Sequence, residues 1–396
     1  MGLIIRNIWP EDYKMFRTAS SLGFGLNWDA EKLEPPMPDL DRAIAAYDDS
    51  NIVGTAHAFA TTMNIPGGIL NCAAVDYVAV LPTHRRRGIL TKLMKEQLAD
   101  IYERGEPIAA LHPSESLIYG RFGYGIGTYD ENWEIDTRHS DYKTSIDYDG
   151  SFEFENPSLV KESIPSLYET SMRNRPGSIL PTSDHWERIA GDTKVSNGNL
   201  QQYFHVKYLS LGKHKGYVRY SIAKDVVTVV ELMASSLQAH AALWRFCFDI
   251  DLIWKVKASR RPTDDPLLFM LTDPRRLTRN VKDRLWIRLI DVQKALESRS
   301  YNVTGTLVFK INDAFCCWND GVFELEIQSG GVHCSVSKKS PDLVVDVSDF
   351  ASTYLGTIGF SKLKNSGRLE EHTQGSVKLA DQMFNSELSP WCPYSF

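Results

Sequence analysis

A chain of 396 residues can bury two or three separate cores, at roughly 150 residues per domain, and its 43% apolar and 24% charged content is that of a globular protein. Its formal charge of −6 gives no general attraction to nucleic acid or to an anionic membrane. No apolar run reaches the ~18 residues of a membrane span, and the first residues lack the basic and apolar regions of a signal peptide, so the expected location is the cytoplasm.

Glu11 and Asp12 mark a first helix start, and residues 15–27 read as a helix that breaks into a loop at Gly23 and Gly25. A proline-rich loop follows at Glu34, Pro35, Pro36, Met37 and Pro38, of the kind that borders pockets. Val78, Ala79 and Val80 form an apolar run suited to a buried strand, and Pro82, lacking a backbone N–H, should end it. Arg85, Arg86, Arg87 and Gly88 make a turn, after which Ile89, Leu90, Leu93, Met94, Leu98, Ile101 and Tyr102 recur at helical spacing. The turn thus opens into a helix N-terminus, where the first N–H groups lack partners and carry partial positive charge. An anion such as a pyrophosphate binds there, Gly88 admits it without a Cβ in the way, and the arginines add charge-assisted contacts.

Residues 107–111 read as another strand, followed by His112, Pro113, Ser114 and Glu115 and then by the run I-Y-G-R-F-G-Y at 118–124. A second block, 143–283, carries strand-like runs at 217–222 and 226–233 and a helix over 238–250, but no R-x-x-G loop joins strand to helix. A third block, from residue 284, continues with strands over 303–311 and 322–327 and then helices. The six cysteines form no C-x-x-C pair, and the ten histidines do not pair at ligand spacing, so no metal site is expected. Cys316 and Cys317 read as buried thiols in an apolar stretch.

The R-x-x-G loop at Arg85–Gly88 and the I-Y-G-R-F-G-Y run resemble the cofactor loop and the later tyrosine element of GNAT-fold N-acetyltransferases, and together they are similar to the enhanced-intracellular-survival (Eis) branch. The resemblance covers the whole chain, most strongly 77–125 and weakly about 143–280. It implies an α/β (α+β) protein of tandem GNAT-like acetyltransferase domains, 1–142 with the acetyl-CoA site and 143–283 without it, followed by a sterol-carrier-protein-like α/β domain at 284–396. It implies acetyl-CoA as co-substrate, held by Val78, Ala79, Val80, Arg86, Arg87, Gly88, Ile89, Leu90, Thr91, Ser114 and Glu115, with no metal. The acceptor would be a primary amine of the aminoglycoside, polyamine or lysine type, and the assembly a homohexamer. Leu90 departs from the many such loops that carry a small Gly or Ala there, and is similar to what the Eis branch carries.

Acetyl transfer to an amine needs a base for the ammonium and a proton for the departing thiolate. A thiol of pKa ~8.5 leaves more easily when protonated, and a tyrosine of pKa ~10 supplies that proton at neutral pH. By motif position Tyr119 is this acid, with Tyr124 its rival. The terminal stretch from Ser389 is rich in aromatics and proline, so it should be docked, and the resemblance makes the carboxylate of Phe396 the base. A carboxylate of ordinary pKa, ~3.5, needs desolvation or a relaying water for that role. Two positions depart from the branch: Ser395 and the stretch Leu22, Gly23, Phe24, Gly25 stand where acids are expected, with Asp29 and Glu31 as substitutes. A pocket so apolar favours a smaller or more aromatic amine. The alternatives are an acetyl-CoA-binding regulatory protein without turnover, and a lipid carrier working through the third block.

Overall fold

The computed structural model describes residues 3–26, 37–156, 159–190, 194–196 and 199–396. The chain divides into two compact units: Met1–Thr128 with Arg284–Pro390 and Ser395–Phe396, and Tyr129–Asp283 with Trp391–Tyr394.

In the first unit the strands Ile4–Asn7, Ile44–Asp48, Asn51–Ile65, Gly68–Val80 and Ile108–Leu111 lie side by side in that order. Small buried residues, Ala73 and Ala74 on one strand and Ala109 and Ala110 on the next, let helices approach the sheet closely. Helix Ile89–Glu103 buries Ile89, Leu93, Met94, Leu98 and Ile101 against one face. Helix Tyr13–Gly23 packs with Phe16 and Ala19 in a second cluster that includes Ala45 and Tyr47. Each helix follows the apolar spacing of its sequence, and burial of that stripe is what holds it.

Strand Gly68–Val80 bends where the site forms. Its pairing with Asn51–Ile65 slips between Thr55↔Ala79 and His57↔Asp76, and Tyr77 takes a left-handed φ of 48°. The Thr55 hydroxyl donates to the Tyr77 carbonyl at 2.7 Å, fixing this bulge. Parallel pairing with Ile108–Leu111 runs only from Cys72 to Val75. Val78, Ala79 and Val80 therefore continue beyond the paired region and leave a gap beside them.

The sheet is completed from far along the chain. Strand Trp286–Leu289 inserts antiparallel between Ile108–Leu111 and the short Gly125–Ile126. The rest of this unit is a five-stranded sheet, in the order Gly331–Val336, Gly321–Gln328, Gly305–Asn312, Leu343–Asp346 and Leu369–Glu371. Helices Val347–Tyr354, Phe360–Asn365 and Ser376–Phe384 accompany it. Its core is filled by Phe309, Phe350, Phe360 and Phe384, with ring centroids of neighbouring pairs such as Phe360 and Phe384 only 5.0 Å apart.

The second unit has its own seven-stranded sheet, in the order Thr278–Asp283, Tyr129–Asp136, Lys255–Arg261, Val226–Ala234, Lys213–Ala223, Tyr203–Ser210, Ser151–Phe154. Residues 129–136, which the sequence places in the first block, are thus a strand of this sheet. Val226–Ala234 and Lys255–Arg261 run parallel, with helix Leu237–Phe248 between them in sequence. Where the first unit has an arginine–glycine loop, this crossover has Ser235 and Ser236, and the Ser236 hydroxyl caps the helix by accepting from the Ala239 N–H.

Candidate active site

The gap beside Val78, Ala79 and Val80 is a cavity of about 670 Å³. These three residues form one wall, and the loop and first helical turn, Arg85, Arg86, Gly88, Ile89, Leu90 and Thr91, form another. Ser114, Ile118, Tyr119 and Arg121 close it from beyond strand Ile108–Leu111, while Gly23, Phe24 and His84 complete the lining. Among the described residues the lining holds three arginines and a histidine and no carboxylate, and these groups make the field positive where the helix N-terminus also points.

Each loop residue has a distinct job. Gly88 is the helix N-cap at φ 75°, a left-handed conformation that suits glycine, and a Cβ there would meet nothing within 4 Å. The approach to the N–H groups of Ile89, Leu90 and Thr91 is therefore open. Arg85 ties the loop down, donating to the Gly23 carbonyl at 2.8 Å and to the Val80 carbonyl at 3.3 Å. Arg87 turns to Asp48, 3.6 Å away, and does not line the cavity. Arg86 makes no hydrogen bond or ion pair among the described residues, and Arg121 only lies over the Phe122 ring at 4.8 Å. These two guanidinium groups are the ones available to an anion.

Tyr119 ends the short helix Ser116–Tyr119 and is 5% exposed. Burial raises its pKa above the ordinary tyrosine value, and a hydrogen bond with Ser114 pulls it partly back. Tyr124 packs edge-on against Tyr119 at 6.0 Å but is fully buried, its hydroxyl without a partner among the described residues, and is not part of the lining. Glu115 precedes the Tyr119 helix and likewise lies outside the lining.

Phe396 packs its ring edge-on to Phe59 at 5.6 Å and against the His112 ring at 4.8 Å. His112 follows strand Ile108–Leu111, and its Nδ1 lies 3.1 Å from the Arg284 carbonyl. The Arg284 guanidinium donates to the Ser395 hydroxyl. The tail is docked, with Trp391, Cys392 and Tyr394 buried as well. Phe396 is not among the residues lining the cavity.

The structure thus gathers Val78, Ala79, Val80, Arg86, Gly88, Ile89, Leu90, Thr91, Ser114 and Tyr119 around one space, and leaves Arg87, Glu115 and Phe396 out of its lining. Sequence reasoning did not assign His84, Arg121, Ile118, Gly23 or Phe24 to it. Arg121 and Ile118 sit inside the tyrosine motif, so their signal was present; Gly23 comes in through a contact that only the fold makes, where a Cβ would stand 2.7 Å from that of Ala79. Glu34, Pro35, Pro36, Asp29 and Glu31 lie outside the described residues. Cys316 is buried as expected, but Cys317 is exposed, because the chain turns into a short 3-10 helix there. Among the described residues no group of three His, Cys, Asp or Glu could hold a metal, and no helix is long and apolar enough to cross a membrane.

Comparison with known proteins bears directly on this cavity. An acetyltransferase (GNAT) domain model matches residues 4–127, a second one matches 177–289, and a sterol carrier protein domain matches 292–393. A Streptomyces avermitilis protein named an uncharacterized N-acetyltransferase is 34% identical over 99% of both chains. The N-acetyltransferase Eis of Mycobacterium tuberculosis is 30% identical over 88% of this chain and 86% of its own. The crystal structure of Eis1 from Mycobacterium abscessus superposes with a TM-score of 0.87 at 28% identity, covering all of both chains. Two acetyltransferase domains and a sterol carrier protein domain, together with 30% identity to Eis over 88% of the chain, place the chain in the Eis-like branch of the GNAT N-acetyltransferases.

Proposed function

We propose that the chain moves an acetyl group from acetyl-CoA directly to a primary amine of the aminoglycoside, polyamine or lysine type, with Tyr119 as acid and the terminal carboxylate of Phe396 as base. The observation that carries this is the single cavity onto which both the arginine–glycine helix start and Tyr119 open.

The residues present suit acetyl-CoA. Arg86, Arg121 and the N–H groups of Ile89, Leu90 and Thr91 would take its phosphates, and the unpaired edge of Val78, Ala79 and Val80 would take its amide arm. When bound it supplies an acetyl group activated as a thioester. Tyr119 Oη holds a proton throughout the neutral range, because burial keeps the phenol un-ionised. The Phe396 ring packs against the rings of Phe59 and His112, and its carboxylate would need desolvation or a relaying water to take the amine's proton. Ile118 and Phe24 add apolar surface to the cavity wall.

The test is release of free thiol from acetyl-CoA by the full chain against polyamines, aminoglycosides, arylalkylamines and lysine peptides. Turnover with an amine supports the reading. Binding of acetyl-CoA without thiol release from any amine would instead make the chain a regulatory acetyl-CoA binder. The same reading carries a cytoplasmic homohexamer, which light scattering checks against the monomer mass of 44.8 kDa.

A further inference from the structure

Asp76 and His57 stand opposite each other in the pair Asn51–Ile65 and Gly68–Val80, immediately before the bulge at Tyr77. The His57 ring is fully buried. Its Nδ1 lies 2.5 Å from Oδ1 of Asp76, and its Nε2 lies 2.8 Å from the Pro38 carbonyl oxygen. A carbonyl oxygen only accepts, and so does an ionised carboxylate, so a ring satisfied at both nitrogens donates at both. Ring and carboxyl together therefore hold two protons, one in each contact. Only Oδ1 of Asp76 is engaged; Oδ2 has no partner among the described residues, and 16% of the side chain remains open.

Residues directly opposite on antiparallel strands project to the same face, so His57, Asp76, Phe59 and Ala74 share one. On that face the Phe59 ring meets Phe396, the residue proposed above as the base. The next residue, Tyr77, accepts from the Arg17 guanidinium at its hydroxyl, 2.7 Å away. A partly exposed carboxylate, with one oxygen held by His57 and the other without a partner among the described residues, thus lies on the sheet face that carries Phe396, at the bend where the strand turns toward the cavity.

We propose that Oδ2 of Asp76 receives the ammonium of the acceptor amine, with His57 as the positioning residue that fixes the carboxylate. The inference rests on the amine-acetylating reading and names the residue that binds its acceptor. In the bound arrangement both protons lie on His57 and Asp76 is ionised. The pair is not the base, since both its proton positions are already filled. It supplies the acid that Ser395 does not.

The test is Asp76→Asn in the full chain, read in two ways. Calorimetry titrates 1,4-diaminobutane and 2-phenylethylamine into CoA-saturated protein, and steady-state kinetics uses acetyl-CoA with the same amines. The expected result is an amine affinity weakened, and an amine KM raised, about tenfold or more, the usual worth of one charge-assisted hydrogen bond. CoA affinity should hold, kcat should stay within about threefold, and its pH profile should not move. His57→Gln should raise the amine KM less, since it keeps a donor toward Asp76. An unchanged amine KM overturns the proposal, and so does a fall in kcat at constant KM, which would mark a base. A wild-type chain that releases no thiol with any amine defeats the acetyl-transfer reading, yet calorimetry still decides Asp76: no amine binding, or binding that Asp76→Asn leaves intact, overturns it. If circular dichroism shows Asp76→Asn unfolded, Asp76→Ser takes its place with the same expectations.

Discussion

The guanidinium of Arg288 occupies the space where a side chain on Gly123 would begin: a Cβ at Gly123 would stand 2.6 Å from Arg288 Cζ. Gly123 is at φ 83°, and Arg288 is fully buried, donating to Asp313 at 2.5 Å and to the Leu289 carbonyl at 3.0 Å. The tyrosine motif that sets Tyr119 is therefore braced by a strand from much later in the chain.

Gly123→Ala should destabilise the first unit through both backbone strain and displacement of Arg288. Arg288→Met should cost about 3–5 kcal/mol, because it strands Asp313 as a buried charge without its cation. Urea unfolding followed by circular dichroism measures both. A change below about 1 kcal/mol for Arg288→Met would mean that the backbone N–H groups on Asp313 suffice to hold it.

The two cavity arginines of the loop should separate experimentally. Arg86→Ala removes a cation that has no partner among the described residues, so it should raise the KM for acetyl-CoA by about 10- to 100-fold without moving the melting temperature. Arg85→Ala breaks the bonds to Gly23 and Val80, so it should lower the melting temperature as well. Gly88→Asp combines strain at φ 75° with a repelling charge and should abolish acetyl-CoA binding. Equal effects on the amine KM would remove the loop from the cofactor site.

For the acid and the base, Tyr119→Phe should lower kcat by about 10²–10⁴ with little change in acetyl-CoA affinity. A donor works while it is protonated, and burial raises the Tyr119 pKa, so its loss should begin only as pH climbs past the ordinary tyrosine value of ~10. The same sign holds for stability: the neutral buried phenol contributes fully below that value, and the contribution is lost as pH rises through the higher folded pKa. A basic limb of kcat near neutrality that vanishes in Tyr119→Phe would contradict this. Residues appended after Phe396 should lower kcat about 100-fold or more while acetyl-CoA still binds, since they turn its carboxylate into an amide.

Cutting the chain tests the sheet. A fragment of residues 1–142 lacks strand Trp286–Leu289, which pairs with Ile108–Leu111 on one side and Gly125–Ile126 on the other. It should show no cooperative melt, although it contains every loop and helix residue of the cavity.

What the sequence disclosed was local. The strand end at Pro82, the turn and helix Ile89–Glu103 follow from proline chemistry and apolar spacing within about 25 residues. The strands at Val226–Ala234 and Gly321–Gln328 and the helix Leu237–Phe248 lie within a residue or two of their expected limits, for the same reason. Hidden were the features made by distant partners. The bulge at Tyr77 depends on a slipped register with Thr55, and Gly23 enters the cavity because a helix end meets Ala79. Arg85 looked like a phosphate ligand equal to its neighbours until the Gly23 and Val80 carbonyls claimed it. Cys317 shows how an apolar stretch can still turn outward at a short helix.

The late strand Trp286–Leu289 also sets a timetable. Synthesis delivers the amino-terminal half first, so until residue 289 has left the ribosome, Ile108–Leu111 waits beside the place of its neighbour with an unsatisfied row of N–H and C=O groups. Its side chains are wholly buried in the finished protein, so the nascent chain presents an apolar, sticky strand edge throughout translation of Tyr129–Asp283. Chaperone demand during expression should accordingly track how fast ribosomes traverse the codons between the two strands, and a slow stretch there should favour aggregation of full-length product.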